Sequence, residues 1–270
     1  MSDAEPLVLV NGSPGQGVSP MDRGLAYGDG VFRTLRLEAG EPRWWPDHLA
    51  KLADDCRQLA ITAPERSAWE QDLAWIGARM PDAVVRLSVT RGTGPRGYRP
   101  PELSLPTRIA TASPLPAFPD PVLSTGARLR VCQLRLSQQP RLAGIKHLNR
   151  LENVLARMEW TDPDIDEGLL LDQEGWVISG VMSNLMVKLD GEWLTPVLDR
   201  NGVAGVARAR LLARWPIRET RLDLAAVHRS DAVLLMNSLV QLRWVARLEG
   251  RTWSRPEAFA TLRELLCSEN

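Results

Sequence analysis

One lysine differs from the other basic residues of the chain in its sequence environment. Lys146 lies in the stretch RLAGIKHLNRLEN, residues 141–153, with no acidic residue within five positions on either side. Gly144 allows a tight turn before it, and a predicted helix follows it. A partly buried lysine loses stabilisation of its ammonium form, and the free amine is a nucleophile towards aldehydes. The pattern therefore admits a Schiff-base lysine, although composition alone favours an ordinary surface lysine.

Two loops could bind an anion. In NGVAGVARARLL, residues 201–212, two glycines precede a predicted helix whose first N–H groups, from Val206 and Ala207, lack partners within the helix. That helix start suits a phosphate, and the alternative is an ordinary glycine-rich loop. In LLMNSLVQL, Asn237 and Ser238 follow a predicted strand and offer side-chain and backbone donors. The second loop taken alone is a weak signal.

The first half of the chain predicts an α+β unit that could position such groups. LVLVNGSPG indicates a strand closed by an Asn-Gly turn, and VFRTLRLEAGEPRWW indicates two strands around a glycine turn. PDHLAKLADDCRQLAI has the apolar spacing of a helix. A second helix is predicted with an apolar face of Trp69, Leu73, Ile76 and Met80, and two strands, AVVRLSVTRG and TRIATAS, follow it.

The second half predicts another α+β unit after a proline-rich connection. A helix is expected in LNRLENVLARMEW with five inward apolar residues: Leu148, Leu151, Val154, Leu155 and Met158. Three or four strands, a helix, two strands and a final helix follow. Prolines at 114, 116, 119 and 121 favour an extended linker. We therefore predict three segments: an N-terminal domain, 1–115, a linker, 116–125, and a C-terminal domain carrying Lys146 and the phosphate loop, 126–270.

The composition limits the kinds of partner. Lys and Arg together equal Asp and Glu together, at 33 each, so no net field attracts nucleic acid or an anionic membrane. No apolar run approaches the roughly 20 residues of a membrane span, and the start lacks the layout of a secretion signal. The few cysteines and histidines are scattered, which argues against disulfides or a metal. We expect a cytoplasmic protein with a small-molecule partner and no metal.

Together these stretches resemble the fold-type-IV pyridoxal-phosphate enzymes, the class of the branched-chain and D-amino-acid aminotransferases. The likeness is strongest to the aminodeoxychorismate lyase branch, for which LAGIKHLNRLEN and RGTGPRGY are specific. Five stretches carry it: DRGLAYGDGVFRTLR (22–36), TRGTGPRGY (90–98), LAGIKHLNRLEN (142–153), SNLM (183–186) and NGVAGVAR (201–208). The resemblance implies the two-domain α+β architecture of that class, pyridoxal 5'-phosphate as cofactor, and a homodimer.

The resemblance also implies roles for particular residues at the cofactor. Lys146 would form the Schiff base, Val206 and Ala207 would contact the phosphate through their backbones, and Ser238 would be a further phosphate-side residue.

A second set of implied roles concerns the substrate. Arg96 and Tyr98 would help to hold a substrate carboxylate, within one subunit or across a dimer interface. The alternative for these two residues is a solvated turn.

Two positions depart from the class pattern. The class usually has an arginine in a His-x-x-Arg-Leu stretch that binds the phosphate, and here HLAKL places Lys51 there, an ammonium in place of a planar fork. The class usually places a glutamate at the pyridine nitrogen, five residues before Asn184, and this sequence has Ser179. A hydroxyl cannot keep that nitrogen protonated, so the cofactor would be a weaker electron sink, unless Glu174 or another acid substitutes.

These departures bear on the reaction. The lyase branch converts 4-amino-4-deoxychorismate to 4-aminobenzoate and pyruvate, an elimination driven by formation of an aromatic ring. That reaction should depend less on a protonated pyridine than transamination does, so Ser179 favours the lyase. Two alternatives stay open: an aminotransferase, and a non-catalytic relative that lost normal cofactor use through the changes at 51 and 179.

Overall fold

The computed structural model describes residues 5–116 and 125–268. By its contacts the chain divides into two compact units, Met1–Ala117 with Ile145–Asn149, and Phe118–Gly144 with Arg150–Asn270. Most of the predicted linker lies outside the described residues. The segment that contains Lys146 groups with the first unit, although the sequence analysis assigned it to the C-terminal domain.

The first unit contains a six-stranded antiparallel sheet with the order β2-β1-β6-β5-β3-β4. Its strands are β1 Leu7–Val10, β2 Ser13–Pro14, β3 Gly30–Glu38, β4 Glu41–Pro42, β5 Ala83–Thr90 and β6 Thr107–Pro114. The predicted strand with its Asn-Gly turn and the predicted pair of strands around a glycine turn are both confirmed. The first turns at Asn11 and Gly12, whose φ angles of 51° and 84° suit an Asn-Gly pair.

Among the described residues, three helices accompany this sheet: α1 Arg23–Tyr27, α2 Trp45–Gln58 and α3 Arg66–Gly77. The predicted α2 and α3 are confirmed. Leu52 and Cys56 of α2 join Trp69 of α3 in the core of this unit. The short α1 was not predicted; Asp22 caps it by accepting from the Gly24 N–H.

The second unit is built on a nine-stranded mixed sheet with the order β12-β11-β10-β13-β14-β7-β8-β9, and β15 pairs with β14. Its strands are β7 Ala127–Leu136, β8 Glu167–Asp172, β9 Val177–Gly180, β10 Asn184–Leu189, β11 Glu192–Pro196, β12 Ile217–Thr220, β13 Ala232–Asn237, β14 Gln241–Leu248 and β15 Arg251–Thr252. The strands predicted between residues 168 and 196 are confirmed, as is the α+β class.

In the described part of the second unit the helices are α4 Leu151–Arg157, α5 Val206–Arg214, α6 Leu224–Arg229 and α7 Phe259–Cys267. The prediction that the apolar face of α4 points inward is wrong. Leu151, Val154, Leu155 and Met158 are between 51% and 75% exposed. Ala156 alone of this helix is buried, so α4 touches the sheet through a narrow stripe of its surface.

Two further observations concern the described residues only. None of their helices is long and apolar enough to cross a membrane. They contain no group of three or more His, Cys, Asp or Glu side chains that could hold a metal ion.

Candidate active site

The segment Ile145–Asn149 lies along the start of β3 as an extended stretch. The Phe32 N–H donates to the Lys146 carbonyl over 2.9 Å, and the Leu148 N–H donates to the Gly30 carbonyl over 2.9 Å. Val31 and His147 form an antiparallel bridge between them. The backbone on both sides of Lys146 is therefore fixed to the sheet of the first unit.

Two glycines of the DRGLAYGDG stretch make this close approach possible. A Cβ on Gly30 would lie 2.4 Å from the Val89 carbonyl oxygen and 2.8 Å from the Leu148 side chain. Gly28 has a φ of +65°, and a Cβ there would lie 2.3 Å from the Asn149 side chain. Side chains at either position would push the Lys146 segment off β3.

The Lys146 side chain is half-buried and rests against an aromatic ring. Its Nζ lies 4.7 Å from the centroid of the Phe32 ring, and the Arg86 guanidinium lies 3.7 Å from the same centroid. Contacts of this kind are favourable for a cation and restrict its position. The predicted nucleophile is therefore anchored through its backbone and its side chain.

Asp55 of α2 joins Lys146 to Lys51. The fully buried Asp55 carboxylate accepts from the Lys146 N–H over 3.2 Å and from Lys51 Nζ over 2.5 Å. The same carboxylate forms an ion pair with Arg33 of β3. The structure thus brings Lys51 and Lys146 to a shared carboxylate, together with an arginine that sequence reasoning did not single out.

Arg96 and Tyr98 lie in a loop that a buried arginine holds by its backbone. Arg23 donates to the carbonyls of Gly97 and Tyr98 over 2.9 and 3.0 Å, and the Tyr27 hydroxyl accepts from the Gly97 N–H over 2.9 Å. The side chain of Arg96 is exposed, and that of Tyr98 is 87% exposed. Both predicted substrate residues are therefore presented to solvent on a fixed loop of the first unit.

Asp29 orients the arginine that holds this loop. Its carboxylate accepts from Arg23 Nε over 2.9 Å and from Arg91 Nε over 2.8 Å. Burial would raise the pKa of Asp29, but the hydrogen bonds and charges of Arg91 and Arg23 outweigh burial and lower it. Asp29 therefore stays ionised near neutral pH.

In the second unit, Ser179 lies on β9 beside a turn supported by Glu167 of β8. Ser179 is buried and pairs in the ladder with Leu170. The Glu167 carboxylate accepts from the Met182 N–H and the Ser183 hydroxyl, each over 3.0 Å. Burial raises the pKa of Glu167. Its oxygens are thus committed to the turn between β9 and β10.

The Glu174 carboxylate is engaged with other partners. Its carboxylate is on the exposed hairpin between β8 and β9, where it pairs with Arg200 over 2.7 Å. It also accepts from the Trp176 indole N–H over 3.2 Å. Neither Glu174 nor Glu167 therefore offers an unengaged carboxylate beside the serine.

The predicted phosphate loop is braced by Asn184 at the start of β10. Asn184 donates to the Val203 carbonyl over 2.8 Å, and its side-chain oxygen accepts from the Gly205 N–H over 3.1 Å. A Cβ on Gly205 would lie 2.4 Å from that oxygen. Val206 and Ala207 then begin α5 directly after this turn, with the helix-start N–H groups that the sequence predicted.

Ser238 lies in the turn between β13 and β14. The Asn237 side chain shapes that turn by accepting from the Leu239 and Val240 N–H groups over 2.9 and 2.8 Å. Asn237 also donates weakly to the Met182 carbonyl over 3.5 Å. The short turn at residues 180–184 therefore connects three predicted positions. It directly follows Ser179, its Asn184 bonds the loop before α5, and its Met182 carbonyl accepts from Asn237 next to Ser238.

Comparison with known proteins identifies a family whose model covers most of the residues described above. Residues 30–248 match the family model described as amino-transferase class IV. The chain belongs to the class IV aminotransferase family.

The chain is similar both to lyases and to an aminotransferase. A structure of 4-amino-4-deoxychorismate lyase from Pseudomonas aeruginosa is 45% identical with a TM-score of 0.92, covering 96% of this chain and 98% of that one. Aminodeoxychorismate lyase from Vibrio harveyi is 33% identical over 86% of this chain and 87% of its own length. A putative branched-chain-amino-acid aminotransferase from Methanocaldococcus jannaschii is 30% identical over 87% of this chain and 83% of its own.

Within this class IV fold, sequence reasoning missed Arg33, Asp55, Arg23 and Glu167. A signal existed for Arg33, because it falls in step with the apolar residues Val31 and Leu35 of the same strand and therefore on the covered face. The other three look in the sequence like ordinary charged residues of a helix, a loop and a strand start.

Proposed function

We propose that the protein is a pyridoxal-phosphate-dependent aminodeoxychorismate lyase that converts 4-amino-4-deoxychorismate to 4-aminobenzoate and pyruvate, a step towards folate. The observation that carries the proposal is the backbone anchoring of Lys146 in a stretch typical of the lyase branch. A lysine that exchanges partners during a reaction must project from a fixed position. Similarity to the Pseudomonas aeruginosa lyase supports the same conclusion.

The donor groups suit this cofactor chemically. In the first unit, the half-buried amine of Lys146 suits an aldehyde, and the ammonium of Lys51 suits a phosphate. In the second unit, the helix-start N–H groups of Val206 and Ala207 and the hydroxyl of Ser238 also suit a phosphate. Once bound, the cofactor withdraws electrons from the bond that breaks.

Lys146 would act twice as a proton carrier. As a free amine it would remove the ring proton from the substrate carbon that bears nitrogen. Enolpyruvate then leaves from the adjacent carbon, and the Lys146 ammonium can return a proton to it. Arg96 and Tyr98 would help to hold a substrate carboxylate, since their loop is fixed by Arg23 while their side chains are exposed.

Ser179 favours the lyase over an aminotransferase. If it faces the pyridine nitrogen, its hydroxyl can donate a hydrogen bond but cannot keep the nitrogen protonated. Two acids close to Ser179 in the sequence already have other partners, since Glu174 pairs with Arg200 and Glu167 supports a turn. An elimination driven by aromatic ring formation tolerates a weaker electron sink. Aminotransfer is the second candidate function, because the chain is 30% identical to the putative branched-chain-amino-acid aminotransferase from Methanocaldococcus jannaschii.

We also propose that the enzyme is a homodimer in the cytoplasm. Four apolar side chains on one face of α4 are half or more exposed in the single chain: Leu151, Val154, Leu155 and Met158. An apolar patch of this kind is typical of a surface covered by a partner. The three cysteines are free thiols, as is usual in a reducing compartment.

Two measurements test the proposed function. Addition of pyridoxal 5'-phosphate to purified protein should give the visible absorbance of a lysine-bound cofactor, and addition of substrate should release 4-aminobenzoate. Lys146→Ala should abolish both signals while the circular dichroism spectrum stays that of the wild type. Substantial turnover by this variant would refute the role of Lys146, and cofactor binding without product would refute the lyase.

A further inference from the structure

Arg33 is a charged residue on an apolar face of β3. Its neighbours on that face, Val31 and Leu35, are fully buried, and Arg33 itself is 2% exposed. Burial lowers the pKa of Arg33, and the charge of Asp55 offsets part of that effect. Placing a guanidinium in such surroundings is costly unless its donors are satisfied. This position therefore calls for a chemical reason.

The two cations Arg33 and Lys51 have fewer carboxylates around them than are needed to pair each cation separately. Arg33 and Lys51 share the Asp55 carboxylate, which also accepts from the Lys146 N–H. The next carboxylate, Asp54, lies 3.7 Å from Lys51 and is paired with Arg57 over 2.5 Å. The buried Nε of Arg33 has no hydrogen-bond partner among the described residues.

We propose that Arg33 supplies a guanidinium for the phosphate of the bound cofactor, in compensation for the ammonium at position 51. Asp55 holds Arg33 beside Lys51, so the two cations face an anion as a pair. A guanidinium has five N–H donors in a planar fork, and a phosphate accepts from several of them at once. The inference rests on cofactor use by the proposed function and does not depend on the reaction catalysed.

A purely structural role for the pair Arg33 and Asp55 makes a different prediction. A structural pair stabilises α2 on β3, so its loss would weaken the binding of every ligand that depends on the fold to a similar degree. If Arg33 instead binds the phosphate, its loss would weaken the binding only of molecules that carry a phosphate. The affinity ratio of pyridoxal 5'-phosphate to pyridoxal separates the two roles, because both aldehydes react with Lys146 and only one has a phosphate.

The test uses the full-length apoprotein and Arg33→Met, which keeps length and apolar packing and removes the donors. We expect the dissociation constant for pyridoxal 5'-phosphate to rise at least about tenfold, as for the loss of one charge-assisted hydrogen bond. The constant for pyridoxal should change less than about threefold. Arg36→Met, on the same strand but the opposite face, is the matched control and should leave both constants unchanged. An unchanged ratio in Arg33→Met overturns the proposal.

Two further measurements keep the inference decidable. If Arg33→Met does not fold, Arg33→Lys replaces it, because it retains the charge towards Asp55 and loses the fork. A selective loss of pyridoxal 5'-phosphate affinity supports the proposal, and a wild-type ratio overturns it. If the wild type binds neither aldehyde, the proposed function fails, and thermal stabilisation by inorganic phosphate then decides: dependence on Arg33 supports the anion site, and equal stabilisation of wild type and variant overturns it.

Discussion

Loss of the Glu167 side chain should destabilise the second unit by an amount that the structure allows us to estimate. Its carboxylate accepts from the Met182 N–H and the Ser183 hydroxyl, each over 3.0 Å. A hydrogen bond to a charged group contributes about 1.5–3 kcal/mol, but the alanine variant also escapes the desolvation of a buried carboxylate. We therefore expect Glu167→Ala to lower the free energy of unfolding by about 2–4 kcal/mol.

The glutamine variant separates charge from hydrogen bonding. Burial raises the pKa of Glu167, so the folded state holds the proton more tightly than the unfolded state. The stabilising effect of that proton is complete below the unfolded pKa of about 4.3 and is lost as pH rises through the higher folded pKa. Glu167→Gln can accept from Met182 and donate to Ser183, and it stays neutral. Its stability relative to wild type should therefore increase with pH.

Urea unfolding followed by tryptophan fluorescence, from pH about 5 to about 8, would measure both effects. Glu174→Gln is the control, since that carboxylate is on an exposed hairpin and its change should stay within about 0.5 kcal/mol. A loss below about 0.5 kcal/mol in Glu167→Ala would refute the hydrogen-bond estimate. A wild-type pH dependence in Glu167→Gln would refute the assignment of the buried charge.

Three other substitutions test the site and the assembly. Lys51→Arg should tighten pyridoxal 5'-phosphate binding by about 1 kcal/mol in calorimetry, because a second directed bond to phosphate becomes possible; no gain would mean that residue 51 does not face the phosphate. Ser179→Glu should raise transamination of simple amino acids more than 4-aminobenzoate release, and equal insensitivity of both rates would contradict its placement at the pyridine nitrogen. Leu155→Glu should give a monomer in sedimentation, and an unchanged dimer would exclude the α4 face from the interface.

The elements that follow local rules were predictable from the sequence. The Asn11-Gly12 turn, α2 and α3 depend on turn chemistry and apolar spacing over a few residues. The spacing in α4 also predicted a helix correctly, but its direction was predicted wrongly. Periodicity indicates which residues share an apolar face, and it does not indicate whether the same chain buries that face.

In the candidate site, too, residues in a local motif could be predicted and contacts between distant residues could not. Lys146 could be proposed as a candidate because its motif is contiguous. Its hydrogen-bond partner Asp55 lies 91 residues earlier and resembles any other acid in a charged helix. Contacts between such distant positions depend on how β3, α2 and residues 145–149 pack, which no local pattern encodes. Arg33 could have been found from its alternation with Val31 and Leu35.

The grouping of Ile145–Asn149 with the first unit has a consequence for folding of the chain during its synthesis on the ribosome. Synthesis proceeds from the N-terminus, so all six strands of the first sheet leave the ribosome well before the segment that pairs with the start of β3. Until residue 149 has emerged, the Asp55 carboxylate lacks the Lys146 N–H, and Phe32 has an unpaired amide at a strand edge. A fragment cut at residue 116 would keep that deficit permanently. We therefore expect residues 1–116 expressed alone to expose this edge and to aggregate more readily than the whole chain.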